Sequence, residues 1–148
     1  MTEIERLLAE NACQRLCVDY AHFGDSGQPE ALAALFAEDG EVKLPTGTSK
    51  GRAAIAAGAT PTPNLVMRHV MSNIRIDVES ADKASGVAYL RLYYAMRKGD
   101  TGPAVTRALA PRLVGAYHDR FVRTAEGWRF ASRDFEIALM PSVDEAAT

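Results

Sequence analysis

The residue pattern predicts an α+β domain in which N-terminal helices wrap a cone-shaped, curved antiparallel sheet around an apolar pocket. Two observations predict it. Apolar residues recur at three- and four-residue spacing in the first part of the chain. The second half consists of long β-branched and aromatic runs bounded by turn residues. Helices followed by strands give an α+β layout with the helices on one side of the sheet. A sheet of such long strands twists and therefore curves. Helices laid across its concave face leave a cavity of the kind that takes small molecules.

Over residues 12–23, Ala12, Cys13, Leu16, Cys17 and Tyr20 share one helical face. Ile4, Leu7 and Leu8 are also helical in spacing but fall on the opposite side. Either the helix is interrupted near Asn11, or its first turns pack on something else, such as a partner chain. Gly24 is a natural stop. Pro29 opens a second helix, 29–36, with Leu32, Leu35 and Phe36 facing inward. Asp39-Gly40 then turns the chain into a short extended piece, 41–44. A third short helix is expected over 51–57, and Gly58, Pro61 and Pro63 mark the loop after it.

Residues 64–79 read as a strand, in which Ile74, Ile76 and Val78 alternate with Arg75 and Asp77. Residues 81–85 form a turn. The next strand, 86–97, is apolar on both faces, which places it inside the sheet. Residues 98–111 read as a long hairpin loop. Two further strands, 112–123 and 128–139, are joined at Ala125-Glu126-Gly127, and 142–148 form a loose tail beyond Pro141. The two-faced strand, with Phe121, Val122 and Phe135, predicts an apolar outer sheet face and a homo-oligomer, dimer or trimer.

The chain has 148 residues, the size of a single domain. Its 17 basic and 19 acidic residues leave a net charge of −2, which removes the broad electrostatic case for nucleic acid. No apolar run reaches the ~20 residues that a bilayer span needs. The start, Met1-Thr2-Glu3, lacks the features of a secretory signal, so the expected location is the cytoplasm. Cys13 and Cys17 read as small buried apolar groups. No metal, nucleotide or flavin is expected. There is no cluster at metal-ligand spacing, and Gly24 and Gly27 follow a helix instead of forming a phosphate-binding turn.

Four stretches together resemble the SnoaL-like branch of the nuclear transport factor 2-like (cystatin-like) superfamily. They are Leu35-Phe36 followed by Asp39-Gly40, Gly51-Arg52 opening a short helix, Arg68-His69 continuing through Asn73, and the hairpin Tyr117–Phe121 to Gly127–Phe130. Leu35, Phe36, Trp128 and Phe130 read as core. Within the superfamily the chain looks most like scytalone dehydratase and its bacterial relatives. Tyr20-Ala21 precedes Asp25-Ser26 as an aromatic-Ala pair precedes their catalytic Asp-Ser, and His69 stands where they carry a catalytic His. Other partners are missing. Gly24 stands for the Tyr before the Asp, Leu44 for a second Tyr, Tyr94 for a second His, and Gly115 and Tyr117 for a Ser and an Asn.

The resemblance therefore implies a general acid–base pair, Asp25 and His69, rather than the complete dehydratase site. A carboxylate beside an imidazole fixes its tautomer and supports its charged form. In an apolar pocket, such a pair serves dehydration, isomerisation or cyclisation of a small hydrophobic oxygenated ring compound. Residues 69, 71 and 73 share one parity and 74, 76 and 78 the other, so both sets can face inward only across a bulge near Ser72. Tyr20, Tyr94 and Tyr117 are candidates to line the cavity, and Met71, Leu90, Leu92 and Met96 to form its wall. His22 and His118 read as solvent-facing, and Asp119 with Arg133 as a structural ion pair. A non-catalytic binding module, or a small assembly subunit of a ring-hydroxylating dioxygenase, are the competing readings.

Overall fold

Thr2 starts the first helix. Its hydroxyl accepts the Glu5 N–H at 3.2 Å, while the Glu5 carboxylate accepts the Thr2 N–H at 2.6 Å, a reciprocal cap. In the computed structural model, which describes residues 1–97 and 110–141, α1 then runs unbroken over Glu3–Asp25. The interruption near Asn11, one of the two alternatives above, is absent. Ile4, Leu7 and Leu8 stay exposed, whereas Ala9, Cys13, Leu16, Cys17 and Tyr20 are buried. Gly24 does not stop the helix; the Ser26 N–H closes its last turn on the His22 carbonyl, 3.0 Å.

The second helix, α2, spans only Pro29–Ala33. Phe36 is not helical. It opens β1, Phe36–Leu44, because the Phe130 N–H takes the Leu35 carbonyl at 2.9 Å and Phe36 pairs in register with Phe130. The expected extended piece is thus a nine-residue strand. It pairs with β2, Gly47–Lys50, which was not anticipated. The third helix, α3, is Arg52–Gly58, entered through Gly51 at φ +80°.

Four long strands follow: β3 (Leu65–Val78), β4 (Lys83–Met96), β5 (Leu113–Thr124) and β6 (Gly127–Leu139). The order across the sheet is β2-β1-β6-β5-β4-β3. All pairings are antiparallel except β1 with β6. The curved sheet buries Ala84, Ala88, Leu90, Tyr117, Phe121, Phe130 and Phe135 in the core with the helices. Phe36 and Phe130 are fully buried with ring centroids 5.1 Å apart, and each such side chain stabilises the fold by about 1.5–3 kcal/mol. Phe121 and Phe135 point into this core and not to the outer face, which corrects the expectation above. Their partners in register, Ala84 and Tyr117, are buried inner-face residues.

Two features of β3 matter for the site. Its pairing with β4 shifts register between Ser72 and Arg75, with Asn73 at φ +50°, so the bulge lies at the expected place. His69 and Met71, then Ile76 and Val78, consequently all face inward. β3 is also the free edge of the sheet, and α1 lies along it. The Arg6 guanidinium donates to the Val78 carbonyl at 2.8 Å near one end, and Asp25 accepts the His69 N–H nearer the other. The expected loop over 98–111 lies almost wholly outside the described residues, as does the tail at 142–148. Among the described residues, no helix is long and apolar enough to cross a membrane.

Candidate functional site

Asp25 comes from the last turn of α1 and His69 from the free edge of β3. The His69 Nδ1 lies 2.7 Å from Asp25 Oδ1. An edge strand leaves alternate N–H groups unpaired. The His69 N–H donates to both Asp25 oxygens, at 3.1 and 3.0 Å. Three contacts thus hold one carboxylate against one histidine. Placing the proton on Nδ1, facing the carboxylate, leaves the Nε2 lone pair as the basic position. The two side chains are 12% and 14% exposed, so they are shielded yet reachable. Gly24 lies beside the ring, where a Cβ would make ordinary contact with His69 Cε1 at 3.7 Å. Tyr20 meets the imidazole edge-on at 6.4 Å.

The side chains around the pair on the inner face are apolar. Met71 is two residues along β3, Leu92 lies opposite His69, and Leu113 opposite Leu92. Met71, Leu92 and Leu113 are partly buried against the core, as is Ile137. Leu90 is 1% exposed and sits deeper, in register with Met71. The other candidates separate by depth. Tyr20 and Tyr117 are packed into the core, with ring centroids 5.6 Å apart. Tyr94 and Met96 are exposed, toward the end of β4, and the Arg112 guanidinium lies 5.5 Å from the Tyr94 ring centre. The structure brings Asp25, His69, Met71 and Leu92 together and leaves Tyr94 and Met96 on the surface.

A second close pair, an aspartate with an arginine, is sealed below. Arg133 Nε donates to Asp119 Oδ1 at 2.8 Å and its Nη2 to Oδ2 at 2.7 Å, a two-pronged contact with both side chains buried. The guanidinium lies 4.4, 4.2 and 4.3 Å from the ring centres of Tyr20, Tyr117 and Phe130. Cys17 Sγ approaches Asp119 at 3.6 Å, and Arg133 Nη1 has no hydrogen-bond partner among the described residues. Burial opposes the charge on Arg133, but the adjoining Asp119 carboxylate outweighs it and holds the group protonated. Burial also raises the phenols of Tyr20 and Tyr117 above their ordinary range and pushes the Cys13 and Cys17 thiols up to about 12. The ion pair was legible in the sequence; the aromatic cage around it was not.

His22 and His118 are exposed, and His118 Nε2 lies 3.0 Å from Glu136. A hollow of about 410 Å³ opens on the outer face of the sheet, among Lys43, Ser85, His118, Arg120, Ser132 and Asp134. It lies across the sheet from the Asp25–His69 pair and is polar, so it is not the expected apolar pocket. Among the described residues no group of His, Cys, Asp and Glu is arranged to hold a metal ion.

Known proteins share this architecture. A scytalone dehydratase candidate from Novosphingobium aromaticivorans superposes with a TM-score of 0.77 at 26% identity, covering 95% of this chain and 91% of that one. A nuclear transport factor 2-like protein with a cystatin-like fold from the same organism gives 0.76 at 27%, covering 97% and 90%. A hexachlorocyclohexane dehydrochlorinase from Novosphingobium barchaimii gives 0.75 at 19%, covering 95% and 93%, a likeness of fold alone. No curated protein matches the chain. The family model for the SnoaL-like domain matches residues 5–134, nearly the whole of the helices and sheet described above, and the chain belongs to that family.

Proposed function

We propose that the protein is a cofactor-independent lyase or isomerase that moves a proton on a small, hydrophobic, oxygenated ring compound. The observation that carries this reading is the 2.7 Å contact between Asp25 and His69 beside apolar side chains. Nε2 of His69 takes a proton from the carbon next to a carbonyl, and the C–H electrons pass into an enolate. Asp25 stabilises the imidazolium so formed. In a dehydration the enolate expels a β-hydroxyl, and the imidazolium returns the proton to that oxygen as water leaves. In an isomerisation it returns the proton to another carbon. Neither route needs a metal, nucleotide or flavin. Met71 and Leu92 contact the ring of the substrate, Tyr94 and Met96 border the entrance, and Leu90, Tyr20 and Tyr117 support the floor. The similarity to a scytalone dehydratase candidate favours the same chemistry.

The test is proton exchange in D₂O with a panel of cyclic β-hydroxy ketones, followed by NMR. Deuterium entering the position next to the carbonyl, with or without loss of water, supports the reading; exchange no faster than in buffer across the panel refutes it. One observation favours a second reading, a binding module. Tyr20 and Tyr117 are buried in the core, 6% and 2% exposed, so neither hydroxyl is openly presented to a ligand oxygen. That reading predicts ligand retention without exchange, weakened by Leu92→Ala.

A further inference from the structure

The inner face of the sheet changes character between the core and the mouth. Strand register sets Met71 against Leu90, His69 against Leu92, Met67 against Tyr94 and Leu65 against Met96. Leu90 is 1% exposed, whereas Tyr94 and Met96 are 40% and 55% exposed, so the apolar wall runs out past His69 into solvent. A cation stands over that outer part. Arg112 precedes Leu113, which pairs with Leu92. Its backbone N–H donates to the Leu92 carbonyl at 2.7 Å, and its Nε to the Tyr94 carbonyl at 3.3 Å. The guanidinium carbon lies 5.5 Å from the centre of the Tyr94 ring. These contacts engage Nε and the planar face of the group. Among the described residues, neither Nη nitrogen has a hydrogen-bond partner and no carboxylate forms an ion pair with Arg112.

We propose that Arg112 anchors a carboxylate carried by the substrate ring, and thereby sets which end of the molecule faces His69. The inference rests on the acid–base reading above and narrows its substrate class to a cyclic ketone bearing a carboxylate. A guanidinium presents parallel N–H groups that match the two oxygens of a carboxylate. The contacts with the Tyr94 carbonyl and ring hold the long side chain in place, so less freedom is lost when the anion binds. Neighbouring strands are about 4.8 Å apart and residues about 3.4 Å apart along a strand, so the backbones at His69 and Arg112, two strands over and one residue along, are separated by about 10 Å. With both side chains reaching into that gap, it takes one ring. Charge fixes the direction. Asp25 repels a carboxylate at the inner end, while Arg112 attracts it at the outer end. The ring then lies against Leu92 and Tyr94, with its acidic C–H toward Nε2 of His69 and its carboxylate at the mouth.

The test compares two probes, cyclohexanone with a carboxylate on the ring carbon opposite the ketone, and the methyl ester of that acid. Binding is followed by NMR titration in D₂O near neutral pH, and exchange by loss of the proton signal next to the ketone. The native protein is expected to bind the acid about tenfold or more tightly than the ester. Arg112→Gln removes this preference and Arg112→Lys, which keeps the charge without the fork, restores part of it. Both variants keep the circular dichroism spectrum of the native chain. His69→Ala retains the preference while losing exchange, which separates the anchor from the proton transfer. An Arg112-dependent preference with no exchange of either compound supports the anchor and refutes the acid–base reading. Equal or tighter binding of the ester by the native protein, or a preference that survives Arg112→Gln, overturns the anchor.

Discussion

The molecule contains two close carboxylate contacts, one with a guanidinium and one with an imidazole, of similar length and opposite setting. Asp119–Arg133 is sealed, with side chains 1% and 0% exposed, and three aromatic rings surround the guanidinium. Asp25–His69 stands at the junction of a helix end and a strand edge, 14% and 12% exposed, with Nδ1 engaged and Nε2 turned away from the carboxylate. Short distance alone therefore does not mark the chemistry. The first pair uses two guanidinium nitrogens to satisfy one carboxylate and fix the hairpin. The second uses one ring nitrogen and leaves the other free of the carboxylate. Burial strengthens an ion pair's hold on structure while removing its access to substrate.

The largest effect that separates the two pairs is on stability. Arg133→Ala leaves the Asp119 carboxylate buried without its partner, a loss of about 3–5 kcal/mol. Against the 5–15 kcal/mol typical of a domain, urea unfolding should show a large fall in midpoint. His69→Ala should barely move that midpoint but lower proton exchange on an accepted ketone by about a hundred- to ten-thousand-fold. Asp25→Asn should act in the same direction by a smaller factor, because the ring stays in place while its charge support is lost. If Arg133→Ala is as stable as the native protein, or His69→Ala retains full exchange, the contrast fails.

The smallest effect is chemical silence of the thiols. Burial raises Cys13 and Cys17 to about 12, so at pH 8 almost no thiolate exists in the folded chain. Alkylation by iodoacetamide should proceed only on unfolding. The sign follows from linkage. A group whose folded pKa lies above its unfolded value of about 9 favours the fold fully below that pH. The benefit declines as pH rises from 9 toward 12. A protein that gains stability over that interval would contradict the assignment.

Much of this was legible in the residues. The parity clash between His69–Met71 and Ile76–Val78 required a bulge, and the register shift after Ser72 supplies it. Asp25 and His69 were brought together by resemblance, since nothing in 44 residues of separation announces a contact. What escaped did so for physical reasons. Gly47-Thr48-Ser49-Lys50 has no apolar alternation because β2 is a surface edge, so periodicity could not reveal it. Phe36 has helical spacing from Leu32, and only its pairing with Phe130 makes it a strand residue. Phe121 and Phe135 were placed outside because hydrophobicity carries no sign for which sheet face a residue takes. The start of α1 is set by Thr2 and Glu5, a local cap that an amphipathic stripe does not register.

The contacts of α1 with the free edge of β3 carry one more consequence. An uncovered fourteen-residue edge offers a template to which another chain can add a strand, the usual first step toward aggregation. Arg6 occupies one of its carbonyls and Asp25 one of its amides. Asp25 therefore caps an edge amide as well as holding the imidazole. Replacing it with a residue that cannot accept hydrogen bonds reopens the edge beside His69. The Asp25→Ala variant should therefore aggregate sooner on warming than His69→Ala, which leaves that amide covered.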